Sequence, residues 1–232
     1  MIAINLVWVI LFIAYIAIFA ALIVVRFLLE KSEPELRFSF FRNFPYEIIS
    51  FYQDKSKIYK VLLFIFSGLC FVPIFVIVPL VGEFGELGWI AIVNACVYGL
   101  TGIMVVSIHL FEAKFIKTHS LLVSIMIGLA FLSSSLSALF SMLTYNVYSR
   151  FNEGSPLAIG CFALFVLAAL FDLFVAFNPK LKDWTKLERY TNSDGSISYD
   201  RPKVFPLAFS EWLIIFSLFL SEAIFFISLI HA

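Results

Sequence analysis

The sequence predicts an all-α polytopic integral membrane protein: a bundle of six transmembrane helices with both termini outside. Three observations carry that expectation. The 232 residues are 62% hydrophobic and 14% charged, with a mean hydropathy of +1.01. Soluble domains run near 45–50% apolar and about 25% charged. Six stretches are each long enough to cross a hydrocarbon core, which takes about 20 apolar residues of helix for about 30 Å. Finally, 15 of the 16 lysines and arginines fall in, or at the edges of, alternate loops. Together these exclude a soluble globular protein, a disordered tail and a nucleic-acid-binding domain. With 16 basic and 16 acidic residues, the formal net charge is zero and no overall field draws a charged partner.

The spans are expected at about 5–28, 58–82, 88–111, 120–145, 156–178 and 207–231, within one transmembrane domain over 1–232. In lipid, backbone groups must be satisfied within the segment, so these stretches are helices. Barrel strands would be about 10 residues long and would alternate, and these do not. The first span has no basic residue before it, and Leu6 to Val25 holds no charge. Its apolar run is too long for a leader's core, so it reads as a retained N-out anchor.

Five loops join the spans. Loop 29–57 carries Lys31, Arg37, Arg42, Lys55 and Lys57; loop 112–119 carries Lys114 and Lys117; loop 179–206 carries six basic residues. Loop 83–87 has none and loop 146–155 has only Arg150. The positive-inside rule then places loops 29–57, 112–119 and 179–206 in the cytoplasm. Loop 29–57 mixes its cations with Phe38, Phe40, Phe41, Phe44, Tyr46, Phe51 and Tyr52. Rings and cations together favour the headgroup level, and Pro45 can start a short interfacial helix, Tyr46 to Gln53. In loop 179–206, Leu181, Trp184 and Leu187 share one face of a short helix. Asp194-Gly195 between Tyr190-Thr191 and Ile197-Ser198-Tyr199 then signals a hairpin. An isolated hairpin is marginal in water, so it is expected to pack on loop 29–57 or on another protein.

Ionisable groups inside a membrane are costly, and each is a functional candidate. Helical rise places His109, Glu112, Asp172 and Glu211 in one layer beneath the cytoplasmic face. Glu222 lies deeper, with Asn94 or the serines of the fourth span as expected partners. The bland alternative has His109, Glu112 and Glu211 snorkelling to the interface or pairing with Lys114 or Lys117. Asp172 could equally be held in a structural hydrogen bond. Ser133, Ser137 and Ser141 recur every fourth residue on the fourth span. Together with Ala91, Ala95, Cys96 and Gly99 on the third span, and Ala17 and Ala21 on the first, they form small-residue rows that let helices approach closely. Pro73 and Pro79 would kink the second span or free its carbonyls. Cys70, Cys96 and Cys161 are widely spaced in apolar runs, which suits small buried hydrophobes and excludes a CxxC redox or zinc site. His109-x-x-Glu112 with His119 is too common a pattern to predict a metal, and none is expected. No Walker loop, GxGxxG, GxSxG or HExxH is present, and no cofactor is expected.

Three functions follow. The first is a small permease, proton-coupled through Glu222 and the inner acidic layer. The second is a non-catalytic subunit that meets a protein partner or a second copy through loops 29–57 and 179–206. The third is a membrane-embedded lipid-modifying enzyme with His109 and the carboxylates as acid and base. The lipid bilayer is a partner in all three.

Overall fold

The computed structural model describes residues 2–33, 38–80, 82, 87–111, 116–149, 156–178, 188–192 and 196–230. It consists of α1 (Ile2–Ser32), α2 (Pro45–Tyr52), a 3-10 turn (Gln53–Ser56), α3 (Lys57–Leu80), α4 (Leu87–Leu110), α5 (Ile116–Ser149), α6 (Pro156–Ala176), strands β1 (Glu188–Thr191) and β2 (Ile197–Asp200), and α7 (Pro206–Ile230). Six helices, all but α2, are long and apolar enough to cross a membrane. Neighbours in sequence pack against each other from α3 to α7, and α1 closes the ring by lying on both α7 and α3. Helix α7 also touches α4 and α5, which makes it the inner helix of the bundle. In its most apolar stretch 72% of the residues are buried, against 17% in that of α1.

Helix α1 is apolar on every face, so its polarity does not say which side packs. The buried set does: Trp8, Tyr15, Leu22 and Leu29 recur at seven-residue intervals. That interval keeps one seam against a neighbour as two helices wind left-handedly. Ala17 is exposed and Ala21 only partly buried, so the small-residue row expected on this helix is not its packing face.

Helices α3 and α4 meet through small residues. Ala91, Ala95, Gly99 and Gly102 lie buried on α4. A Cβ at Gly102 would stand 2.9 Å from the Cys70 Cβ and 3.2 Å from the Ser67 Cα; at Gly99 it would stand 2.7 Å from the Phe71 ring. Cys96 faces outward and is exposed, so it is no part of that row, while Cys70 and Cys161 are buried. Helix α3 runs on through Pro73 and Pro79.

The end of the bundle that carries loop 29–57 is closed by that loop. Residues Ser39–Asn43 form a turn, with the Asn43 backbone N–H donating to Ser39 O at 2.8 Å. Pro45 then starts α2, and Glu47 folds back to accept from the Phe44 N–H at 2.8 Å. Ile48 and Tyr52 are buried in the bundle core, so the short helix expected after Pro45 packs on the end of the bundle and plugs it. Arg201 donates to both Glu47 carboxylate oxygens, at 2.7 and 2.8 Å, and its guanidinium lies over the Phe44 and Phe205 rings. Trp212 Nε1 donates to Asn43 O, and the Phe205 N–H donates to Phe41 O.

Strands β1 and β2 pair antiparallel, from Glu188 opposite Asp200 to Thr191 opposite Ile197. Arg42 binds Asp200 at 2.5 Å and ties the strands to loop 29–57. That hydrogen bond, followed by one from the Arg201 N–H, holds the exposed Asp200 carboxyl below its ordinary pKa. The expected helix around Leu181, Trp184 and Leu187 lies outside the described residues.

Two expected outcomes follow from this packing. Gly102→Ala forces α3 and α4 apart and costs about 1–3 kcal/mol. Gly68→Ala, which meets nothing within 4 Å, is neutral or stabilising; melting temperatures of the two variants in one detergent check both. Glu47→Ala leaves Arg201 without its acceptor and costs on the order of 3 kcal/mol. Limited proteolysis should then open the chain near residues 38–56 before it attacks the spans.

Candidate functional site

Polar side chains are concentrated on and around α7. They form four separate clusters rather than one layer. At the plugged end, Glu211 on α7 meets His119 on α5, with Oε1 to Nε2 at 2.9 Å and both side chains fully buried. His119 Nδ1 donates to Phe111 O, so one further proton is shared between the imidazole Nε2 and the carboxyl. The Phe44 and Tyr46 rings stand edge-on to His119 and cover it from the plug. Glu211 is therefore buried against an imidazole, while Lys114 and the Lys117 side chain lie outside the described residues.

The second cluster lies one to three turns further along α7. Asp172 on α6 is fully buried and accepts from Ser217 at 2.6 Å and from Ser134 at 3.2 Å. Ser134 also shares a hydrogen bond with Ser221. Three helices, α5, α6 and α7, thus enclose one carboxyl with hydroxyls. The third cluster holds Glu222, whose Oε2 accepts from the Tyr15 hydroxyl at 2.8 Å. The Cys70 thiol lies beside it. Asn94 and the serines of α5 were the expected partners, but the heptad seam of α1 brings Tyr15 there first. Asn94 instead donates to Ser137, which also shares a hydrogen bond with Tyr98. Ser133, Ser134, Ser137 and Ser141 are all buried, so the serine row of the fourth span faces the interior.

The fourth cluster stands apart. His109 on α4 donates from Nδ1 to Val105 O at 2.7 Å, which leaves Nε2 to accept from the Tyr59 hydroxyl at 3.2 Å. No hydrogen bond among the described residues joins His109, Asp172 and Glu211 to one another. The residues do not converge because azimuth separates them: His109 meets Tyr59 on α3 and the Trp212 ring on α7, Asp172 is bonded from α5 and α7, and Glu211 meets His119 on α5. Glu112 lies outside the described residues. Among them no group of three His, Cys, Asp or Glu side chains is arranged to hold a metal.

Several buried polar atoms in these clusters have no partner: Glu211 Oε2, Glu222 Oε1 and Asn94 Oδ1, with Ser141 Oγ and Thr144 Oγ1 beyond them. An unmet acceptor in such surroundings costs about 1–3 kcal/mol. Atoms left this way are free to accept a proton, a water or a ligand donor. Sequence reasoning passed over Tyr15, Tyr59 and Arg26, and weighed His119 only as a metal ligand. The signal for Tyr15 was its heptad relation to Trp8 and Leu22.

Comparison with protein-family models, with curated proteins and with solved structures gives no match. The functional reading therefore rests on the geometry alone.

Tyr15→Phe removes the hydroxyl that donates to the buried Glu222 carboxyl, leaving only the weak Cys70 thiol beside it among the described residues, and is expected to cost about 1–3 kcal/mol. In the Glu222→Leu background the same change should cost much less, because no acceptor is then stranded. A double-mutant cycle on thermal stability in detergent measures that coupling.

Proposed function

We propose that the chain is a small membrane permease whose transport is coupled to protons through the carboxyls around α7. The observation that carries this reading is their arrangement. Glu211, Ser217 with Asp172, Ser221 with Ser134, and Glu222 follow one another along the buried side of a single helix. Glu211 and Glu222 are eleven residues apart, three turns or about 16 Å, so they share one face. No lysine or arginine interrupts the series. Carboxyls partnered by hydroxyl and imidazole groups can bind and release protons, and chains of such groups inside membranes serve as proton relays. The oxygens without partners at Glu211 and Glu222 supply free acceptors along the same route. The positive-inside rule supports a plugged end in the cytoplasm and both termini outside. His119–Glu211 is then the inner end of the route and Glu222 is its deep element.

The other two readings draw less support. A docking subunit needs loops 29–57 and 179–206 free to meet a partner. Phe38, Phe44 and Tyr52 are instead buried against the chain's own bundle. A lipid-modifying enzyme needs His109 and Asp172 in one cavity, and they belong to different clusters.

The test is solvent access along α7. With the three native cysteines replaced, Ser221→Cys is expected to react with a membrane-impermeant thiol reagent in sealed vesicles. Its rate, divided by that of an exposed control cysteine to remove the rise that thiolate formation gives any thiol, should still change several-fold between mildly acidic and mildly alkaline buffer. Glu222→Gln should remove that pH dependence and leave the protein folded. A Ser221→Cys thiol that never reacts from either side means sealed structural packing, and the reading fails.

A further inference from the structure

An apolar cleft, open on one side, lies between α1, α3, α4 and α7, away from the carboxyl series. Its wall is hydrocarbon, with Phe19, Leu63 and Phe216 among the lining side chains. One water takes about 30 Å³ of liquid volume and needs two or more polar partners, so this space does not suit water. Hydrocarbon fits it, because each lining atom facing a void lacks its dispersion partner.

One part of the wall is charged. Arg26 lines the cleft and is 6% exposed. Its Nη2 donates to Phe38 O at 2.9 Å and meets Glu30 at 3.0 Å. The rings of Phe27, Phe38 and Phe40 surround its guanidinium. Its Nε–H, by contrast, is buried with no acceptor among the described residues. The other polar groups on the wall are engaged: His109 through both ring nitrogens, and Trp212 Nε1 by Asn43 O. Guanidinium N–H groups bind carboxylate and phosphate oxygens best, through charge-assisted hydrogen bonds. An apolar cleft with one unmet cationic donor therefore matches a molecule that is hydrocarbon for most of its length and anionic at one end.

We infer that this cleft binds one acyl chain carrying an anionic head, with the head accepting from Arg26 Nε–H and the chain lying along Phe19, Leu63 and Phe216. The inference does not depend on the proton-coupled reading, since it uses neither Asp172, Glu211 nor Glu222. A free fatty acid and an anionic phospholipid share this chemistry, and the experiment separates them.

Trp212 lines the cleft and is its reporter. In full-length protein with Trp8, Trp89 and Trp184 changed to Phe, Trp212 fluorescence is followed in non-brominated detergent. Brominated stearate, brominated phosphatidylglycerol and brominated phosphatidylcholine are added separately. Saturable quenching by stearate identifies a fatty-acid site, and saturable quenching by phosphatidylglycerol identifies a lipid site. Arg26→Gln should weaken that binding about tenfold, the loss of one charge-assisted contact. Ile23→Phe fills the cleft from α1 without touching the guanidinium and should abolish saturable quenching, which keeps the test valid if Arg26→Gln does not fold. Equal quenching by all three probes, unchanged in Ile23→Phe, means only bulk contact with hydrocarbon and overturns the inference. So does the absence of saturable quenching by either anionic probe.

Discussion

A polar side chain buried among hydrocarbon has no water to return to, so it takes whatever donor or acceptor the neighbouring helices present. Helix α7 carries as many such groups as α5, two of them carboxyls, and the bundle is organised around them. Glu222 holds α1 through Tyr15, Glu211 holds α5 through His119, and Ser217 holds α6 through Asp172. Trp212 holds loop 29–57 through Asn43. Satisfying all four places α7 inside and leaves α1, α3 and α6 with their most apolar stretches mostly exposed.

These bonds select the arrangement more than they strengthen it. A hydrogen bond between membrane helices averages about 0.6 kcal/mol, because partners are also found in the separated state. Packing supplies most of the rest. The Tyr15 ring that serves Glu222 also lies against Phe66, Phe219 and Phe226, and Phe19 stacks on Phe219 at 3.5 Å between centroids. Gly99 and Gly102 let α3 and α4 close to backbone contact. The polar groups make one azimuth of each helix correct, and the aromatic and small residues make that azimuth tight.

The two ends of the carboxyl series differ, and the difference bears on function. At the Glu211 end, α2 and its preceding turn are fixed by the Glu47–Arg201 pair, and two rings cover His119. Any path from that end must pass the plug. Around Glu222 and Asn94 no such plug is built, and acceptors there, like Glu211 Oε2, have no partner among the described residues. A fold built only for stability would have filled or paired them, since each is costly.

Much of this was legible in one dimension. Six long apolar runs, the hairpin residues around Asp194-Gly195 and the inward serine row of α5 follow from composition and period, because a bilayer's thickness and a helix's rise leave little choice. Azimuth was not legible: on helices as uniformly apolar as α1 and α4, no polarity gradient says which face turns inward. That is why Tyr15 reaches Glu222 in place of Asn94, why His109 turns to Tyr59 and away from Asp172, and why Ala17 and Cys96 face out. The sequence by itself determined that six helices of this chain suit a membrane. Only the tertiary structure decided which charges meet, because rotation about a helix axis is set by packing against neighbours, and those neighbours come from residues as much as 207 positions away.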